Sequence, residues 1–226
     1  MGPATVVFDI HSEEALFSEF SIVGTFSDTR PDFVQHIAIL DGENTLPGNV
    51  RVYHMGPPLV SESNLPAIAD DKKKLNPDLA VELYLDERAM YFIADWAAKI
   101  AEEEAPSGSD RYVILPAFEP SQELSETGQP KYHRFSCAGY VAEALKRGGV
   151  ELCDCSNLPL ADATFLAPAY PILPAIMKYP KKRSQFGVDA DPPWPILLPG
   201  YLFHGADAFI KGEGPIAPAL SMACYT

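Results

Sequence analysis

Arg134-Phe135-Ser136-Cys137-Ala138-Gly139-Tyr140-Val141 puts a cysteine at the head of a helical pattern. Counting from Cys137, residues Tyr140, Val141, Ala144 and Leu145 fall at i+3, i+4, i+7 and i+8, a single apolar stripe. The pattern predicts a helix from about Ser136 to Arg147, ended by Gly148-Gly149. A thiol at a helix start faces unpaired N–H groups and the positive end of the dipole. Both favour the thiolate, the form that attacks carbon. The same N–H groups can stabilise the oxyanion that such an attack creates. A nucleophile of this kind needs a base.

The base is sought upstream. Thr5–Ile10 reads as a strand, Phe33–Leu40 (FVQHIAIL) as a second and Val50–Met55 (VRVYHM) as a third. Asp41–Asn49 is dense in turn formers, so 33–55 is expected to be a hairpin with a long loop. Antiparallel partners have a constant sum of residue numbers. A loop centred near Asn44 or Thr45 makes that sum about 90 and sets His36 opposite His54. His36 then shares its face with Val34 and Ala38, and His54 shares its face with Val50 and Val52. Two imidazoles on an apolar face are costly unless they are used. One can act as base while the other orients it and fixes its tautomer. Asp41 and Glu43 compete with His54 for the orienting role.

Elsewhere, 57–77 is expected to be an exposed connection, and its Asp-Asp-Lys-Lys-Lys run a solvated face. Residues 86–104 form the clearest helix, with Met90, Ile93, Ala97, Ile100 and Ala101 at helical spacing and Asp86 as N-cap. Arg111–Leu115 is expected to be a short strand and Glu119–Lys131 a polar loop leading to the cysteine helix (134–149). From 160 to 226 the prolines preclude long regular elements. Interleaved Leu, Ile, Phe, Tyr and Trp suggest an ordered Pro-rich wrap over the core. No internal repeat or second domain is evident, so 1–226 is expected to be a single domain.

Composition bounds the function. The chain has 226 residues, 47% hydrophobic and 21% charged, with 22 prolines. A formal charge of -14 argues against nucleic acid or an anionic membrane as main partner. No run of 18 apolar residues predicts a transmembrane segment. The N-terminus lacks a signal-peptide pattern, so the expected location is cytoplasmic, or exported with a leader removed. Among the four cysteines, Cys153 and Cys155 form a C-x-C pair with no second pair to complete a zinc site, and they read as loop thiols.

The chain resembles the circularly permuted NlpC-type papain-like enzymes, the group that includes the YiiX-like proteins and lecithin–retinol acyltransferase. The resemblance lies in Phe33-Val34-Gln35-His36-Ile37-Ala38-Ile39-Leu40-Asp41-Gly42, in Arg51-Val52-Tyr53-His54, in Phe135-Ser136-Cys137-Ala138-Gly139-Tyr140-Val141 and in Leu158-Pro159-Leu160-Ala161-Asp162. The chain order His, polar residue, Cys is the permuted one. Ser136 departs from the Asn or Asp usual before the cysteine. The loop between the histidines is long, and the Pro-rich extension has no counterpart.

The resemblance implies an α+β fold, a small antiparallel sheet packed against the cysteine-bearing helix. It implies a catalytic set of Cys137, His36 and His54, with neither cofactor nor metal. His36 would take the proton of Cys137, the thiolate would attack a carbonyl, and water would resolve the acyl-enzyme. The Cys137 N–H would be one oxyanion donor, with Tyr132 or His133 as candidates for the second.

The leading expectation is a cysteine hydrolase, a peptidase or amidase, that cuts an amide bond in a peptide or peptidoglycan fragment. An acyltransferase or lipid thioesterase acting on an acyl-lipid is the nearest alternative, with Phe165, Ile172, Leu173, Trp194 and Leu197 as either an acyl channel or plain core. A non-catalytic binding protein, or a zinc site built from His36, His54 and Cys137, are further readings. His11, His133 and His204 are expected to play structural parts.

Overall fold

Alternating apolar residues in Phe20-Ser-Ile-Val-Gly-Thr-Phe-Ser build β1 (Phe20–Ser27), which becomes a central strand. In the computed structural model, residues 20–46, 49–55, 78–103, 111–115 and 117–226 are described. β1 pairs antiparallel with β2 (Arg30–Leu46) on one side and with β4 (Leu79–Leu83) on the other. β3 (Asn49–Tyr53) adds to β2, giving the order β3-β2-β1-β4.

The pairing divides the sheet into two faces. Phe20, Ile22 and Gly24 of β1 lie opposite Asp41, Ile39 and Ile37 of β2, and opposite Leu83, Val81 and Leu79 of β4. This face carries the main core. It packs against α2 (Cys137–Arg147) and the C-terminal α6 (Pro199–Ile210), α1 (Glu87–Glu102) packs on α2, and the apolar residues of all three join the same cluster. Burying an Ile such as Ile37 or Ile39 there contributes about 2 kcal/mol. A Cβ on Gly24 would sit 2.8 Å from the Phe203 ring, so α6 needs glycine at that point to approach β1. Val23, Ala38, Leu40 and Val52 on the opposite face are also buried, but they stand outside that core.

The remaining described elements are small. β5 (Phe118–Pro120) pairs with β6 (His133–Phe135), and β7 (Leu160–Ala161) pairs with β8 (Trp194–Pro195). α3 (Ala163–Leu166), α4 (Leu173–Ile176) and α5 (Pro180–Gln185) are short. Antiparallel sheets with six helices among the described residues make this an α+β fold. None of the described helices is long and apolar enough to cross a membrane.

Several expectations are corrected. The hairpin strands run on to Leu46 and Asn49, which pair, so only 47–48 separate them. The turn formers 41–46 lie within β2, where the ladder is irregular between Asp41 and Leu46. Residues 111–115 make no strand; Tyr112 forms one isolated parallel bridge to Phe135, while the amides of Ile114 and Leu115 donate to the Phe186 carbonyl. The loop expected at 119–131 begins inside β5.

The prolines of the last third start helices instead of preventing them. Pro lies in the first turn of α4, α5 and the twelve-residue α6, where its missing N–H costs nothing. β1 and β4 escaped the sequence reading. The strand expected at 5–10, the connection at 57–77 and His11 lie outside the described residues.

Candidate active site

Ser136 caps α2, its Oγ accepting from the Gly139 amide at 3.0 Å. The Ser136 amide donates to the Ala117 carbonyl at 3.1 Å. A Cβ on Gly139 would come within 1.7 Å of that carbonyl oxygen, so only glycine admits the segment here. Tyr140, Val141, Ala144 and Leu145 are buried as the stripe predicted. Cys137 is held at the helix start with its side chain nearly inaccessible, 1% exposed.

The sulfur rests against the backbone of β2. Cys137 Sγ donates to the Gln35 carbonyl at a long 4.0 Å and receives the Ile37 amide. The His36 carbonyl points toward β1, 2.9 Å from where a Gly24 Cβ would sit. The Ile37 amide therefore faces the other edge of β2. β3 leaves that edge after Tyr53, paired with Ile39, and the C-terminal chain rejoins it at Phe33, which bridges Cys224. The thiol fills the gap between them.

At Cys137 burial outweighs the helix dipole. Burial pushes the Cys137 thiol up to about 11, against the smaller opposing effect of the Ile37, Ala138 and Cys137 amides. The helix N–H groups act in the expected direction, but desolvation of a sulfur anion in this core is the larger effect.

The two histidines do meet. His36 Nε2 lies 3.3 Å from His54 Nδ1, with ring centroids 5.4 Å apart and the rings nearly perpendicular. One nitrogen must donate and the other accept, so the contact couples the two tautomers. The register differs from the expected one. Ile39 pairs Tyr53 and Leu40 pairs Val52, so continuation sets His54 opposite Ala38 and diagonal to His36. A shift of two residues keeps both rings on one face.

Alternation also breaks at a bulge. Thr25 pairs His36, but Phe26 pairs Val34, so Val34 turns to the core face and no longer shares that of His36. His36 and His54 thus project from the face opposite the one that α2 covers. The thiol meets the Gln35–Ile37 segment at its edge, while the imidazoles stand on the face away from the core. Among the described residues, no hydrogen bond joins Cys137 to either histidine.

Burial lowers the His36 pKa to about 3, with the charge of His54 adding to the effect. Burial likewise lowers that of His54. At neutral pH the site therefore holds a thiol and two uncharged imidazoles.

The other candidates separate clearly. His133 is committed elsewhere: its Nδ1 lies 2.5 Å from Glu103 Oε1, and its ring stacks on Phe118. Glu103 also accepts from the His133 amide and from Arg111, both at 2.8 Å. Tyr132 is buried, its amide 3.4 Å from the Ser121 hydroxyl.

Two phenols that the sequence pattern does not single out are coupled electrostatically to the thiol. Burial raises Tyr112 and Tyr170 well above the ordinary phenol range, and a Cys137 thiolate would raise both further. No local motif marks them, since one follows α1 and the other lies in the Pro-rich third.

His204 lies in α6, and its Nε2 meets the Cys224 carbonyl at 2.8 Å. Asp41 is buried and accepts from the Tyr53 hydroxyl at 2.9 Å. The Glu43 side chain lies outside the described residues. Among the described residues, no three His, Cys, Asp or Glu side chains are arranged to hold a metal ion. Leu173, Trp194 and Leu197 are core, Phe165 packs against it, and Ile172 is exposed.

Fold and site together define an α+β protein with a helix-start cysteine beside a histidine pair. No family model matches this chain, and neither a curated protein nor a solved structure matches it.

Proposed function

We propose that this chain is a cysteine hydrolase of the permuted papain-like type, with Cys137 as nucleophile, His36 as base and His54 as the group that orients His36. One observation carries the reading. A capped helix start delivers the Cys137 sulfur to the backbone on either side of His36, and His36 is itself paired with His54. The substrate class is an amide in a peptide or peptidoglycan fragment. An acyl-lipid is the second substrate class on the same chemistry.

The resting state is neutral, so proton transfer accompanies attack instead of preceding it. Cys137 Sγ bonds to the acyl carbon as its proton passes to His36, and His36 returns that proton to the departing amine. Water then attacks the thioester and releases the acid. The Cys137 amide at the α2 N-terminus and a protonated Tyr112 or Tyr170 are the donors at hand for the oxyanion. Among the described residues no hydrogen bond joins the two at rest, so transfer requires the His36 ring or the thiol to move toward the other.

The depth of Cys137 favours a second reading, a binding protein in which the thiol is only packing. An electrophilic acyl probe separates the two. For the enzyme, Cys137 is labelled, Cys137→Ala abolishes that label, and His36→Ala slows it by about 100-fold or more. An unlabelled Cys137 in the folded protein, or a label indifferent to His36, establishes the binding reading.

A further inference from the structure

Beyond α2, the chain turns at Gly149, with a positive φ of 78°, and runs through Leu152 to Cys155. Leu152–Asp154 is pinned to the C-terminal segment. Ile216 donates to the Leu152 carbonyl at 3.1 Å and accepts from the Asp154 amide at 2.8 Å. α6 presses on the same place, where a Cβ on Gly205 would sit 2.2 Å from the Leu152 oxygen. The backbone carrying the C-x-C pair is therefore held from two sides.

Within this frame the Cys153 and Cys155 sulfurs are 3.7 Å apart. Cys153 is buried and Cys155 exposed, and both are free thiols. They open onto a pocket of about 200 Å³ that is also lined by Glu143, Lys146, Glu151, Asp154 and Leu202. Three carboxylates face one ammonium in the lining, and Arg147, outside the lining, pairs with Glu143 at 3.7 Å, so the pocket keeps a net negative charge. The two loop thiols are thus a fixed pair at a pocket.

We propose that Cys153 and Cys155 form a thiol–disulfide exchange site for small aliphatic disulfides that carry amines, with Cys155 the attacking sulfur and Cys153 the resolving one. Exposure and buried position divide the roles. The environment supports the same division: a hydrogen bond from Cys153 lowers the Cys155 thiol, and that shared hydrogen bond, with burial, raises Cys153. As a neutral thiol, Cys155 instead donates to the Cys153 carbonyl at 3.7 Å.

The exchange balances in two displacements. The Cys155 thiolate attacks one sulfur of R–S–S–R, the S–S bond breaks, and RS⁻ leaves and takes up a proton. Cys153 loses its proton and attacks the Cys155 sulfur of the mixed disulfide, expelling a second RS⁻, which that proton neutralises. The dithiol loses two electrons and two protons, and the substrate becomes two thiols. The acidic lining favours a cationic disulfide over an anionic one.

The test uses the full reduced chain with cystamine and with oxidised glutathione, read by intact mass and peptide mapping. Each rate is divided by that of the same disulfide with a small free dithiol. Cystamine should yield a Cys153–Cys155 link. Cys153→Ser should halt at a mixed disulfide on Cys155, and Cys155→Ser should give neither, with its far-UV spectrum unchanged. At low salt the normalised rate with cystamine should exceed that with glutathione disulfide by about tenfold, a gap that narrows as salt rises. Adducts confined to Cys224, Cys155→Ser reacting like the parent, or equal normalised rates at low salt would each overturn the proposal.

Discussion

His36 Nε2 and His54 Nδ1 lie 3.3 Å apart on the sheet face opposite the α2 helix, and burial holds both imidazoles uncharged. A pair of this kind ties folding to pH.

His36 is neutral when folded, with a pKa near 3, whereas the unfolded chain binds its proton below about 6.5. The stability it contributes is complete above that value and is lost as pH falls from about 6.5 toward 3. The slope from this one group is at most about 1.4 kcal/mol per pH unit. Urea midpoints across this range should fall on acidification, and His36→Gln should flatten the curve. An unchanged slope in the variant would show that His36 is not desolvated.

Cys137 gives the opposite limb. Its folded pKa is raised to about 11, so its contribution is complete below the unfolded value near 9 and is lost as pH rises from there toward 11. Alkylation of the native protein at Cys137 should keep rising through pH 9 without the plateau near neutrality that a preformed ion pair would show. A plateau below pH 7 would contradict the neutral resting state.

Glu103 joins α1 to the segment that feeds α2. Its carboxylate meets Arg111, 2% exposed, and both the ring and the amide of His133. Glu103→Ala leaves the Arg111 charge buried beside orphaned donors and should cost about 3–5 kcal/mol. Replacing Arg111 by Met in the same chain should recover part of the loss. Chemical denaturation measures both, and a loss under about 1 kcal/mol would show the cluster to be solvated.

Gly139→Ala must push the Ala117 carbonyl off the α2 N-terminus, since the added carbon would lie 1.7 Å from its oxygen. A loss of about 2–3 kcal/mol is expected, with labelling of Cys137 altered as well. Ser136→Ala removes only the cap and should cost about 1 kcal/mol. Equal effects of the two variants would refute the close approach.

Tyr140 buries its hydroxyl against Trp96 and Phe135, and no hydrogen-bond partner for it exists among the described residues. Tyr140→Phe removes that unpaired group while keeping the ring. Stability should hold or rise by about 1 kcal/mol. A clear loss in thermal melts would reveal a partner.

Local pattern determined much here. The α1 and α2 helices, the cap at Asp86 and the buried stripe behind Cys137 follow from periodicity and capping chemistry, which act within a few residues. The meeting of His36 and His54 on one face was also legible, because a register error of two leaves a strand's faces unchanged. Three things were decided only by the tertiary structure. The bulge that parts Val34 from His36 depends on the pairing of β1, a strand the pattern did not announce. The packing of α2 on the sheet brings Cys137 to the edge of β2 beside Gln35 and Ile37, a contact between residues about a hundred positions apart. The protonation of the thiol turns on burial, since desolvation in the assembled core exceeds the pull of the helix amides.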